Sequence, residues 1–308
     1  MKITRRFVLA AAPATLALAA LPLTARRGWA VTTLVLGDLR IDSVSDGWME
    51  LPADFTTAGI PEDSRDEVIA QFDLPTEGMV ESPLNVTLLR QGDRVVLFDV
   101  GSGPDFMPTA GKLTEALDAV GIAPEDVTDV VFTHAHPDHL WGVLDEFDEP
   151  LFANAAMQMG RAEHEYWSDP QILDTIREDL QSFAAGASRR IEVLGDSLTL
   201  FEDGAEVIPG VTAVATPGHT PGHMSFAIGT PEQGVFVTGD FVTTLLGFAR
   251  PDIGAGTDSD PELAAQTRAA MLARLAEEKW PIIGYHLPDG GIGRVEADGE
   301  AYKFVAEG

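Results

Sequence analysis

The segment Thr133-His134-Ala135-His136-Pro137-Asp138-His139-Leu140 packs three of the chain's seven histidines and an aspartate into six residues. Imidazole and carboxylate are the donors that hold zinc, manganese, iron or cobalt. In extended backbone alternate side chains point the same way, so His134 and His136 can reach one point. Pro137 stiffens the turn, and Asp138 and His139 can then aim at a second point nearby. A polar turn capping a helix would account for one such residue. Three rings crowded together without a ligand would repel one another when protonated.

A pair of cations needs more donors, and the remaining histidines are few enough to take singly. ATPGHTPGH (215–223) offers His219 and His223, the first on a Gly-Pro turn after a strand-like run. VFVTGDF (235–241) puts Asp240 behind another such run, and IIGYHLP (282–288) puts His286 behind a third. An aspartate at a strand end is usually a turn former, so each says little alone. Together with the cluster they complete a donor set without excess. His164, in RAEHEYW, falls on a helical pattern and is expected on the surface or in the support around the centre.

These residues have to be positioned by the elements around them. TLVLGDLRIDSV (33–44) reads as a hairpin about Gly37-Asp38, and NVTLLRQGDRVVLFDVG (85–101) as another turning at Gly92-Asp93. Residues 50–82, with three prolines, read as an irregular connection with a short helix after Pro61. KLTEALDAVG (112–121) is helical, with Gly121 as its stop. VTDVVFTH (127–134) is a buried strand running straight into the histidines. A helix is expected after the cluster, then a short strand LFA (151–153), then helices near 155–166 and 170–185. IEVL, SLTLF, AEVI, VTAVAT, MSFAIG and GVFVTG read as strands from 191 onward. A helix at 260–279 opens on Asp260-Pro261-Glu262, a strand follows at 281–285, and two short strands end the chain. Strand-rich blocks alternating with helices in two halves, with no linker between them, predict one layered α/β domain: two facing sheets with helices outside.

Composition narrows the chemistry. The chain has 308 residues, 45% of them apolar, enough for a sizeable core. It contains no cysteine, which removes disulfides, thiolate ligands and a cysteine nucleophile together. Its net charge of −29, with no basic stripe after residue 30, argues against nucleic acid and anionic membranes as partners. Residues 1–30 are a different polymer: no acid, a basic head at Lys2, Arg5 and Arg6, and an apolar run over 7–23. This resembles a twin-arginine signal peptide. Cleavage after Ala25 or Ala30 would leave a domain at 31–308 that is periplasmic or secreted, without stable membrane insertion.

The order HAHPDH, GHT, GD and YHLP resembles the metallo-β-lactamase fold superfamily, over essentially all of 31–308. The resemblance implies a four-layer αββα sandwich with the site at one edge of the two sheets. It implies that His134, His136 and His219 hold one metal, that Asp138, His139 and His286 hold the other, and that Asp240 bridges. Asp99, in LFDVG, and His223 would support the site rather than ligate. Within the superfamily, EHEYWSDP (163–170), TPGHTPGHMSF (216–226) and the tail GYHLPDGGIGRVEADGEAYKFV (284–305) are similar to the methyl parathion hydrolase-like group. Three departures matter. The cysteine ligand of the commonest metallo-β-lactamases is missing, the short acidic tail is unlike the basic glutathione-binding domain of glyoxalase-II-type thioesterases, and position 136 is His where flavodiiron-like members carry Glu.

The expected cofactor is two divalent ions, zinc first, with manganese, iron or cobalt also suited to these donors. The expected reaction is hydrolysis of a neutral ester-like bond, an arylester or phosphotriester, by a hydroxide that the two cations share, with Asp138 and Asp240 as catalytic residues. Lactone hydrolysis of the quorum-quenching type is the alternative, and β-lactam hydrolysis stands third. A non-hydrolytic metal-binding or iron redox protein is the alternative of another class. With no cationic cluster in view, the substrate is expected to be a small neutral or hydrophobic molecule. Trp141, Trp167, Phe72, Phe248 and Leu287 are the residues expected to line its pocket. A homodimer is compatible with the sequence.

Overall fold

The computed structural model describes residues 32–37 and 39–307, so the signal expected at 1–30 lies outside the described residues. Among those described, fourteen strands form two seven-stranded sheets. The first holds, in spatial order, β1 (Thr32–Leu36), β2 (Leu39–Pro52), β3 (Met79–Gln91), β4 (Arg94–Phe98), β5 (Asp129–Val131), β6 (Ala156–Gly160) and β7 (Leu198–Phe201). The second holds β8 (Glu206–Ile208), β9 (Val211–Ala215), β10 (Met224–Thr230), β11 (Gln233–Val237), β12 (Pro281–Ile283), β13 (Ile292–Asp298) and β14 (Ala301–Ala306). Each sheet is built from one contiguous half of the chain.

Period-two alternation sorts the strand residues between layers. In β4, Val96 and Phe98 face the opposite sheet while Leu97 faces outward; in β11, Val235 and Val237 face inward and Phe236 outward. The inward set, with Ile41, Leu89, Val131, Phe226 and Ile283, is the core between the sheets. The outward residues are covered by helices, which makes the architecture an αββα sandwich. Helices Leu113–Ala119 and Gln181–Leu194 pack on the first sheet, and helix Pro261–Glu278 packs on the second. The Asp-Pro-Glu start of that last helix behaves as read: Asp260 accepts from Leu263 N at 3.0 Å, with Pro261 in the first turn. No helix among the described residues is long and apolar enough to cross a membrane.

Three local expectations fail for physical reasons. LFA (151–153) is a turn whose Phe152 is buried, and the strand comes later, at Ala156–Gly160. Its sequence AMQMG has little strand propensity, and pairing on both sides, with β5 and β7, overrides that. IEVL (191–194) ends helix Gln181–Leu194, because Ile191 and Leu194 complete a buried face with Ala184 and Ala187. The connection within 50–82 is shorter than expected, since β2 runs to Pro52 and β3 starts at Met79. What remains carries helices Ala53–Thr56 and Arg65–Phe72, and its Ile60 and Val68 form a small cluster with Ile253 from the later half of the chain.

Strand direction explains the convergence of the chemistry. β10 is antiparallel to both β9 and β11, and β11 is parallel to β12. The carboxyl ends of β9, β11 and β12 therefore lie at one edge, and they lead to His219, Asp240 and His286. The segment after β5 in the facing sheet delivers 134–139 to the same rim.

Candidate metal centre

The predicted donors meet. Three groups have donor atoms all within 4.8 Å of one another: His134, His136 and His219; Asp138, His139 and His286; and His134, His139 and Asp240. All seven residues are buried. His139 Nε2 lies 3.4 Å from Asp138 Oδ2 and 3.4 Å from Asp240 Oδ1. His286 Nε2 lies 3.3 Å from Asp138 Oδ2 and 3.1 Å from Asp240 Oδ2, and His219 Nε2 lies 3.6 Å from Asp240 Oδ2. Donors bound tetrahedrally at zinc's usual bond length of about 2.0–2.1 Å stand about 3.3 Å apart. Nε2 of His134 and His139, Oδ2 of Asp138 and Oδ1 of Asp240 are buried without a hydrogen-bond partner. Buried polar atoms are seldom left so, and these fit cations held by nitrogen and oxygen alone.

The neighbours of each ring set its tautomer. The Asp99 carboxylate accepts from Thr133 N and Thr133 Oγ1, both at 2.7 Å, and its Oδ2 lies 2.7 Å from His139 Nδ1. His139 must donate there, which leaves Nε2 for the centre. With its proton on Asp99, Thr133 Oγ1 receives His134 Nδ1 at 3.0 Å. His286 Nδ1 lies 3.0 Å from the Pro83 carbonyl, and His219 Nδ1 2.8 Å from Asp258 Oδ1. Four imidazoles thus turn Nε2 toward the centre. His136 instead brings Nδ1 to 2.9 Å from His219 Nε2.

The centre draws in positive charge. Burial opposes ionisation of Asp240, but His286 and His139 outweigh it and hold the carboxyl well below its usual range. Asp138 follows the same pattern, with burial outweighed by His139 and His286. Burial disfavours charge on His286, yet Asp240 and Asp138 raise it to about 10. His139 is raised in the same way, against burial, by Asp240, Asp138 and Asp99. Burial and neighbouring rings depress His134 and His136. The positive charge can be a proton or a cation at the same atoms, so metal uptake should release protons.

Further residues brace the loops. His223, lowered to about 3 by burial, is neutral; its Nε2 accepts from Asp240 N at 2.8 Å while Nδ1 lies 2.8 Å from Thr216 Oγ1. Three bracing residues escape a sequence reading. Glu163, beside the expected His164, is fully buried and accepts from Ala135 N, Trp167 Nε1, Thr220 Oγ1 and Gly222 N, stitching the HAHPDH loop to the GHTPGH loop. A Cβ on Gly222 would come within 2.0 Å of Glu163 N, so only glycine fits that crossing. Tyr285 donates to Asp138 O at 2.5 Å and lies against the His139 ring. Asp258 holds His219, and its only sequence cue was a place just before the helix cap. His164 lies away from the centre, beside Ser168, Ser188 and Glu192.

A cavity of about 450 Å³ opens onto His136, Asp138, His219, Asp240 and His286. Its walls include Met49, Leu51, Phe55, Leu74, Phe106 and Phe183, with Leu245 and Leu246. None of the five expected pocket residues is among them. Trp167 is buried behind His136, with its ring 5.8 Å from the imidazole. Phe248 and Leu287 pack in the core under helix Pro261–Glu278. Phe72 packs on the small cluster of the 53–78 connection. Trp141 lies under the Arg190 guanidinium and against Phe106.

Fold and donor set together define a metal-dependent hydrolase with a dinuclear centre, and the comparisons with known proteins agree. The family model described as the metallo-beta-lactamase superfamily matches residues 80–286, and the chain belongs to that superfamily. An N-acyl homoserine lactonase of Bacillus sp is 30% identical over 209 residues, which is 67% of this chain and 72% of the relative. The crystal structure of the hydrolase AbOPH, in the beta lactamase superfamily, superposes with a TM-score of 0.81 at 27% identity, covering 90% of this chain and 97% of that one. AidC, a dizinc quorum-quenching lactonase, superposes at 0.82 and 23% identity with the same coverage, a likeness of fold. These comparisons do not reach the finer likeness to the methyl parathion hydrolase-like group.

Proposed function

We propose that this enzyme hydrolyses the lactone ring of N-acyl homoserine lactones. The observation that carries the reading is the apolar cavity ending on the donor cluster, a shape for a neutral polar head on an aliphatic tail. The names of the curated relatives favour a lactone over the arylester or phosphotriester placed first from the sequence. His134, His136 and His219 would hold one divalent ion, Asp138, His139 and His286 the other, and Asp240 would lie between them. When bound, such ions supply Lewis acidity to the ester carbonyl and to a water.

The chain's own residues do the rest. Leu51, Phe55, Leu74 and Leu246 take the acyl chain and exclude bulk water from the ring. The lactone carbonyl seats beside His136, His219 and Asp240. Asp138 takes the proton of the attacking water on the carboxylate oxygen not turned toward His139 and His286, and returns it to the departing ring oxygen. A C–O bond to water forms and the ring C–O bond breaks, giving a hydroxy acid whose remaining acidic proton is lost to solvent, so the product leaves as a carboxylate with a hydroxyl.

The test is a panel on purified, zinc-loaded protein: N-acyl homoserine lactones of increasing chain length, arylesters, neutral phosphotriesters, phosphate monoesters and β-lactams. Lactones should show the highest kcat/KM, increasing with acyl length. An arylester or phosphotriester turned over about tenfold better would displace the lactone reading. Two bound metals with no turnover of any class would favour the non-hydrolytic alternative.

A further inference from the structure

We propose that Asp258 is a positioning residue for His219, and that the Asp258–Arg268 pair couples the cavity wall to the metal centre. The inference rests on the dinuclear reading, though not on the identity of the substrate. Asp258 and Arg268 are only 3% and 2% exposed. Asp258 Oδ1 lies 2.8 Å from His219 Nδ1, and Oδ2 lies 3.1 Å from Arg268 Nη2. A carboxylate can only accept, so it keeps the proton on Nδ1 and leaves Nε2 facing His136 and Asp240.

Arg268 spends its other donors on two loops. Nε donates to Phe241 O at 2.9 Å, the carbonyl directly after Asp240, and Nη1 donates to Pro251 O at 2.8 Å. From Pro251 the chain runs into residues 254–257, which line the cavity. The backbone closes the same junction: Ser259 N donates to His219 O and Asp260 N to Gly218 O, each at 3.0 Å. One guanidinium therefore fixes the Asp240 loop, the cavity wall and the carboxylate behind His219. A buried ion pair is often no better for stability than apolar residues of the same volume, so stability alone is a weak reason for this one. A Cβ on Gly254 would come within 2.0 Å of Asp258 Oδ2 and 2.7 Å of Arg268 Nη2, so the wall and the pair are in direct contact.

The experiment uses full-length zinc-loaded protein in chelator-buffered zinc, with zinc per chain read by elemental analysis and the visible spectrum read after cobalt loading. Wild type should retain two zinc ions. Asp258→Asn should lose one of them at a free zinc concentration about 10–100-fold higher than wild type does. It should also change the cobalt bands of that site and leave the second ion in place. Gly254→Ala keeps every charge but pushes the carboxylate, and it should weaken the same ion in the same direction. Wild-type zinc retention and spectra in both variants would overturn the proposal, as would loss of both ions in Asp258→Asn with neither weakened in Gly254→Ala. Fewer than two ions in wild type would overturn the dinuclear reading along with it.

Discussion

Asp99→Asn is the sharpest test of how the second ion's ligands are held. Asp99 is buried and takes three donors on two oxygens: Thr133 N on Oδ1, and Thr133 Oγ1 and His139 Nδ1 on Oδ2. An asparagine of the same shape has one oxygen and one NH₂. Thr133 N is an obligate donor, so the amide oxygen must stay on its side. The NH₂ then faces the Thr133 hydroxyl, which can turn to accept, and His139 Nδ1, which can accept only by moving its proton to Nε2. That is the atom directed at Asp138 and Asp240. Flipping the amide spares His139 but orphans a buried N–H, at about 1–3 kcal/mol. Either way the variant loses: affinity for one ion should fall about 10–100-fold, or the unfolding free energy should fall by that 1–3 kcal/mol. Zinc per chain at buffered free zinc, with urea unfolding alongside, distinguishes the two. Unchanged zinc affinity together with unchanged stability would refute the tautomer argument for His139.

Three further outcomes follow from the same geometry. Asp240→Ala should lower bound metal below two ions per chain and slow hydrolysis by about a hundredfold or more, since its two oxygens face donors of both groups; full activity at normal metal content would end its bridging assignment. His223, held at about 3 by burial, stabilises the fold while neutral, so its contribution is complete above the ordinary imidazole value and is lost as pH falls from there toward 3. His223→Gln should flatten the acid-side fall of the unfolding free energy, followed by urea titration at each pH, by an amount on the order of a few kcal/mol, and parallel curves for the two proteins would count against it. Phe183, on the cavity wall 5.5 Å from the His136 ring, should matter to long substrates: Phe183→Ala should raise KM by about 10–100-fold for long acyl chains and much less for short ones. Equal effects at all chain lengths would remove Phe183 from the acyl path.

The donors were legible in the sequence because chemistry restricts their types. With no cysteine and seven histidines, each candidate could be checked against a strand end. The strands VVLF and VFV were legible as short β-branched and aromatic runs, the composition of strands buried on both faces. The bracing carboxylates were not, because among 49 acidic residues nothing in the order of types separates the buried Glu163 and Asp258 from solvated neighbours. The pocket was misread because an aromatic side chain fits a core and a cavity equally well. Trp167 and Phe248 went to the core, and the walls came from 49–57, 74–83 and 243–257, segments that meet only in space. IEVL misled because its β-branched residues fit a strand, whereas the helix before it needed one more buried turn.

The division of the chain into two contiguous sheets bears on when the enzyme can become active during its own synthesis. Each of the three donor groups takes two members from the segment after β5 and one from the later half. The amino-terminal half emerging alone thus offers only incomplete chelates, and so does the other half. Tight capture of an ion must wait until the sheets have docked across their shared core, so a half-made chain is spared from trapping a metal in the wrong arrangement.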